Sequence, residues 1–180
     1  MRLDTIRRWG LAMVASAAIA MAAVPAGPGV VNYIEGDARL GSRTLTGQSI
    51  GSAQLQRGDI LQTANGRAEV LLTPGVFLRL DQNSSVKMLS PELLNTRVQL
   101  LRGSALVEVA DLRKGNDVRV LDESSQTKLL KKGLYRFSAD TDTVAVYDGK
   151  ATVMADDRSV DVKSGHEVDL NGTFTDRKFD

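Results

Sequence analysis

Residues Leu100–Val109 read LLRGSALVEV, and the phrase at their centre, Gly103-Ser-Ala-Leu-Val107, decides the fold. It recurs as GDARL from Gly36, GRAEV from Gly66 and GKATV from Gly149, each time Gly-any-Ala-any-aliphatic. In a strand, alternate side chains share a face. Ala38 then lies with Leu40, Ala68 with Val70, Ala105 with Val107, and Ala151 with Val153. The intervening residues, such as Arg67, Glu69 and Lys150, are mostly polar and suit a solvent face. The leading glycine takes positive φ at no steric cost, as a tight turn or bulge before a strand requires. The copies stand at uneven intervals, which argues against a strict solenoid. The phrase is a device for entering a strand, not a ligand signature.

From Val30 onward the same texture continues, with short apolar alternations broken by Gly, Pro, Asn, Asp or Ser. Asn65-Gly66 reads as a hairpin turn, Pro74-Gly75 and Asn83-Ser-Ser85 as further turns, and Glu92–Asn95 as one helical turn or a loop. Beyond the first residues no twelve-residue segment shows a 3.6 period. The period is two, with turn signals about every 8–12 residues. The expected fold is all-β: one compact domain of many short strands, β-roll or β-sandwich-like. It occupies residues 30–172, with 173–180 as a C-terminal tail.

The opening residues differ. Arg2, Arg7 and Arg8 face a single acid, Asp4, and an apolar run from Gly10 to Val24 leads into Val-Pro-Ala at 24–26. This is the three-part pattern of a signal peptide, residues 1–26, cleaved near Ala26. The run is shorter than the roughly 20 residues a spanning helix needs, so an uncleaved inner-membrane anchor over residues 10–26 is the alternative. Export places the domain in the periplasm or outside the cell. Removing the leader takes away three of 23 basic and one of 22 acidic residues and leaves a near-neutral domain, which excludes an electrostatic nucleic-acid binder. With no cysteine, neither disulfides nor a lipid tether are available.

The chain resembles the FecR domain family of bacterial envelope proteins. The resemblance is carried by Leu55-Gln-Arg-Gly58-Asp59-Ile-Leu-Gln-Thr63, Gly66-Arg-Ala-Glu-Val-Leu-Leu72, Pro74-Gly75-Val-Phe-Leu-Arg-Leu80, Ser84-Ser-Val-Lys-Met88 and Val98-Gln-Leu-Leu-Arg-Gly103. Val146-Tyr-Asp-Gly149-Lys-Ala-Thr-Val153 and Val162-Lys-Ser-Gly165-His-Glu-Val168 extend it. Gly58, Asp59, Thr63, Gly66, Gly75, Gly103, Gly149 and Gly165 are its structural motif positions. The family often has a Gly-Thr step before a Phe-containing strand, whereas here Gly133 is followed by Leu134-Tyr-Arg-Phe137. Only nine residues precede the apolar run, too few for the cytoplasmic segment with which sensor members engage a sigma factor. The resemblance therefore implies an exported, non-enzymatic binding, scaffold or sensory module acting through protein–protein contacts. The alternative is a carbohydrate- or peptidoglycan-binding module.

No residue pattern points to catalysis, a cofactor or a metal. His166 is the only histidine, is expected in an exposed turn, and has no nucleophile motif beside it. The pairs around Asp81, Asp140 and Asp156 lack calcium-loop spacing and read as turns. Phe77 and Arg79 fall on the face opposite Leu78 and Leu80, and form the first candidate partner surface. Tyr135 and Arg136 form the second, because Tyr and Arg are favoured at interface centres. The expected partner is an envelope protein or a cell-wall or exopolysaccharide polymer. Membrane contact is expected only through the N-terminal segment, if it is uncleaved.

Overall fold

The computed structural model describes residues 27–179, so the leader and anchor readings of residues 1–26, and Asp180, lie outside the described residues. The strands are β1 (Val30–Leu40), β2 (Arg43–Thr44), β3 (Ile60–Thr73), β4 (Val76–Leu80), β5 (Ser85–Glu92), β6 (Asn95–Arg102), β7 (Ser104–Val109) and β8 (Asp117–Leu121). They continue with β9 (Gln126–Leu129), β10 (Gly133–Ser138), β11 (Thr143–Asp148), β12 (Lys150–Ala155), β13 (Arg158–Lys163), β14 (His166–Asp169) and β15 (Arg177–Lys178). One 3₁₀ turn, Gly47–Ser49, interrupts them. The all-β expectation holds. Among the described residues no helix is long and apolar enough to cross a membrane.

All fifteen strands join one sheet, ordered β13-β12-β9-β8-β6-β5-β3-β4-β7-β10-β11-β14-β15, with β1 on the other edge of β3 and β2 beyond it. Every pairing is antiparallel except β6 with β8. The intervening β7 leaves for the other half of the sheet, between β4 and β10, so β8 returns in the direction of β6. The sheet rolls until β13 meets β11 and β14, and the enclosed face is the core. The alternation places Ala38, Ala68, Val70, Ala105, Val107, Ala151 and Val153 inside, as the repeated phrase predicts, with Leu40 partly buried against them.

The roll turns on β3. Its C-terminal half pairs with β4 (Ala68 opposite Leu80) and its N-terminal half with β5 (Leu61 opposite Val86). Between them the ladder splits, and a buried polar cluster takes over the freed backbone groups. The Thr63 amide donates to Ser84 O at 2.9 Å, the Asn83 amide donates to Ala64 O at 2.9 Å, and the Thr63 hydroxyl donates to Asp81 O. The Ser84 amide donates back to Thr63 Oγ1 at 3.1 Å, and Ser84 Oγ accepts the Ser104 amide at 2.9 Å. Gly103 closes the cluster at φ +76°, where an added Cβ would lie 2.1 Å from Ser84 Oγ.

Three expectations are corrected here. Asn65-Gly66 makes no turn: β3 continues through it with a bulge, where its register with β1 shifts between Gly36–Gly66 and Ala38–Thr63. A Cβ on Gly66 would lie 2.3 Å from Glu35 O, so this glycine serves close passage of two backbones. Gly58, Gly75, Gly103, Gly149 and Gly165 do hold positive φ. Glu92–Asn95 is neither a helical turn nor an open loop, because Leu93 and Leu94 form the tip of the β5–β6 hairpin. Residues 173–179 are no free tail. Phe174 is buried under Arg158, whose guanidinium lies 4.5 Å from the ring centroid, and β15 pairs with β14.

Gly103→Ala and Gly115→Ala separate clash from strain, since Gly115 also has positive φ but nothing within 4 Å of an added Cβ. In urea denaturation Gly115→Ala is expected to lose about 1 kcal/mol, and Gly103→Ala more than about 3 kcal/mol.

Candidate functional site: the outer face of the central strands

The outward residues of β3, β4, β7 and β10 form cross-strand rows, because each neighbouring pair is in fixed register. One row runs Tyr33, Glu69, Arg79, Leu106, Arg136 across β1, β3, β4, β7 and β10. Adjacent residues in such a row lie about 4.5–5.5 Å apart at Cβ and interact directly. Arg79 is held from both sides: Nε donates to Glu69 Oε2 at 2.8 Å, and Nη2 lies 2.6 Å from Glu108 Oε2. The hydrogen bond to Glu69, and then that to Glu108, raises its pKa above the ordinary arginine value. In the next row the Arg67 Nε donates to Asp81 Oδ1 at 3.1 Å. The Tyr33 hydroxyl donates to Glu35 at 3.1 Å.

These rows border a groove of about 530 Å³ lined by Tyr33, Arg67, Glu69, Arg79, Leu106 and Arg136, among others. Leu106, partly exposed on the face of β7, is its apolar element between the two arginines of the row. Arg79 and Arg67 are neutralised in place. Arg136 is exposed and, among the described residues, forms no ion pair. The groove thus offers an open guanidinium beside an apolar surface. A guanidinium can take a carboxylate with two parallel hydrogen bonds.

The two candidate surfaces fare differently. Arg79 and Arg136, proposed as separate patches, stand in one row on either side of Leu106. Phe77 lies in an adjacent row between Leu71 and Glu108, partly buried. Tyr135 is corrected to the core. It is 0 % exposed, and its hydroxyl donates to Lys131 O at 2.6 Å and accepts the Lys150 amide at 3.1 Å. Burial comes first in pushing the phenol pKa up. Tyr33, Glu69, Leu106 and Arg67 were missed as site residues. Their outward alternation was readable, but their meeting depends on register between distant strands.

His166 is also corrected. It begins β14 and is half buried, its Nδ1 lying 2.8 Å from Asp176 Oδ2 without hydrogen-bond alignment. The neighbouring Ser164 hydroxyl is turned to Asp148 Oδ1 and Gly149 O instead. The acidic pairs read as turns do serve turns: Asp142, Asp156 and Asn83 hold positive φ, and Asp140 Oδ1 accepts the Gly103 amide at 3.0 Å.

The FecR protein family model matches residues 59–152, and the chain belongs to this family. The match runs from Asp59 to Thr152, which includes the split of β3 and the whole of β4, β7 and β10. Val162–Val168, also read as family-like, lies outside the matched span. Two crystal structures of a provisionally designated anti-sigma factor from Parabacteroides distasonis share the fold. One has 17 % identity and a TM-score of 0.57 over 67 % of this chain and 60 % of that one. The other has 18 % identity and a TM-score of 0.55 over 66 % and 58 %. The chain thus spans about 60 % of the length of the structures it matches. No curated protein matches it in sequence.

The Asp81 carboxyl sits below its ordinary 3.8, held first by the Gln82 amide and next by Arg67. A depressed folded pKa contributes stability above the unfolded value and loses it as pH falls through the folded one. Asp81→Asn should therefore cost stability at pH 7, and the difference from wild type should be smaller at pH 3. Because the pair is half exposed, the cost is set below about 1 kcal/mol, read by urea denaturation at the two pH values.

Proposed function

We propose that the chain is a non-enzymatic sensory or scaffold module of the bacterial cell envelope, exported by its leader, which holds a protein partner on the outer face of β3, β4, β7 and β10. Membership of the FecR family supports an envelope role. The observation that carries the partner surface is Arg136: an unpaired guanidinium beside Leu106, on a face where Arg67 and Arg79 are already matched with acids. A partner side chain carrying a carboxylate next to an apolar group would satisfy both. Arg and aromatic residues at the centre of a surface patch are favoured positions for binding energy. Tyr33 is the sole aromatic among the residues lining the groove, which suits one anchoring contact better than the stacked platforms of sugar binding.

A photoreactive amino acid at Leu106, in the full chain in its native host, tests the reading. Discrete protein adducts are expected, reduced at least tenfold by Arg136→Glu and reduced less by Arg136→Lys, which keeps the charge but loses the two-pronged donor. A probe at Gln126, on the other half of the sheet, should give none of them. Adducts that collapse on muramidase or glycanase treatment, or that survive Arg136→Glu, would reject a protein partner at this face.

A further inference from the structure

The end of the roll that carries the β3–β4 and β5–β6 turns has a composition that folding does not explain. Two-residue hairpin turns favour Asn, Asp and Gly. Here the β5–β6 tip is Leu93-Leu94, and these side chains are 52 % and 59 % exposed. The tip is held in place at its backbone. Thr73 Oγ1 donates to Leu93 O at 3.2 Å, and the Asp117 amide donates to Leu94 O at 3.0 Å. Two leucines are thus presented to solvent by a fixed scaffold, although burial of either would stabilise the chain. Leu130, in the β9–β10 connection at the same end, is 37 % exposed.

Cations surround them. Arg113 and Lys114 share with Leu93, Leu94 and Pro74 a shallow pocket of about 160 Å³. Lys131 and Lys132 follow Leu130, and Lys132 Nζ reaches Asp111 at 3.3 Å, beside Gly75. The acids at this end are already engaged. Asp111 is shared by Arg113 and Lys132, Glu92 is paired with Arg57 at 2.7 Å, and Asp148 accepts the Gly149 amide and Ser164 hydroxyl. Lys114 and Lys131 have no acidic partner among the described residues.

The first described residues emerge at the same end. The Gly29 amide donates to Leu71 O at 2.6 Å, and Val30 pairs with Leu71, just before the Pro74-Gly75 turn. The polypeptide preceding Gly27 contains the apolar run Gly10–Val24.

We infer that this end of the roll is a lipid-facing surface: Leu93, Leu94 and Leu130 enter the interface of an anionic phospholipid leaflet while Arg113, Lys114, Lys131 and Lys132 meet its phosphates. Exposed leucines among four cations that share one carboxylate, Asp111, match the two layers of such a surface, apolar below and negatively charged above. The emergence of the chain at this end fits the same orientation. The groove at Arg136 lies on the flank of the sheet, so lipid contact at this end leaves it accessible.

The chain has no cysteine, so Leu94→Cys and Gln82→Cys place single labels at the two ends of β5 in the full-length protein. With an environment-sensitive fluorophore, a blue shift of emission is expected at position 94 on phosphatidylglycerol vesicles. The shift should be much smaller on phosphatidylcholine vesicles, absent at position 82, and lost in Lys114→Glu/Lys131→Glu/Lys132→Glu. High salt should weaken it, since screening shortens the reach of the phosphate charge. Equal shifts on the two lipids, or at both label positions, would overturn the assignment. So would a concentration-dependent shift at position 94 without vesicles, which would place a second copy of the chain on the leucines. Each variant is checked by its urea midpoint, so that loss of the shift is not loss of the fold.

Discussion

The structure depends on how β3 leaves one partner for another. Where its ladder passes from β4 to β5, backbone groups are freed in the interior, and a buried unsatisfied group costs about as much as a lost hydrogen bond. Thr63 and Ser84 take over those groups through their hydroxyls and amides, and Gly103 keeps the space beside Ser84 open. This small cluster ties β3, the β4–β5 turn and the β6–β7 turn at one point. The two halves of the sheet diverge there and roll over a common core. Thr63 in the Gly58-Asp59-Ile-Leu-Gln-Thr stretch is therefore a structural residue with a specific task. The positions before it contribute in the same region: the Gly58 amide donates to Met88 O at 2.7 Å, and the Met88 amide donates to Asp59 O at 2.9 Å.

Rolling has an electrostatic consequence. Among the described residues the inner face, filled mostly by Ala, Val and Leu, receives no ionised group, so the charges are distributed over the outside. There acids and bases on neighbouring strands meet: Arg79 with Glu69 and Glu108, Arg67 with Asp81, Glu167 with Arg177. Exposed pairs of this kind add little stability each. Their effect is to cancel charge locally, and this is what sets Arg136 apart in the groove and Lys114 and Lys131 at the end of the roll.

Much of this was legible in the sequence wherever the reason was local. Period-two alternation sorted the faces of β4, β7, β12 and residues 67–70 of β3, because a strand exposes every second residue whatever its partner is; the bulge before Gly66 changes the buried parity of β3 from Leu61 and Thr63 to Ala68 and Val70. The glycines opening the phrases at Gly36, Gly103 and Gly149 do take positive φ. Local reading failed where a distant partner decides. Asn65-Gly66 has the chemistry of a hairpin turn, but β1 lies alongside and needs a glycine where the two backbones cross closely. Tyr135 and Arg136 are adjacent in sequence and share a composition suited to an interface, yet alternation separates them: one is fully buried and the other exposed. The meeting of Arg79 with Arg136 across Leu106 required the order β4-β7-β10, which no local pattern contains.

The same reasoning bears on where such a fold can carry function. A core of alanines, valines and leucines fills the roll, and Tyr135, the largest side chain fully enclosed in it, spends its hydroxyl on backbone groups of Lys131 and Lys150. Specific recognition must then use the outside. On a sheet surface a recognition element has to be assembled from several strands, since each contributes only one outward residue per row. The row from Tyr33 to Arg136 draws on five strands, and its geometry is as rigid as the ladder beneath it. The loops at the end of the roll need no such register. Fixed only at their backbones, they can present leucine and lysine side chains freely. A flat, rigid flank suits a partner of defined shape, whereas a studded end suits a surface with no fixed shape.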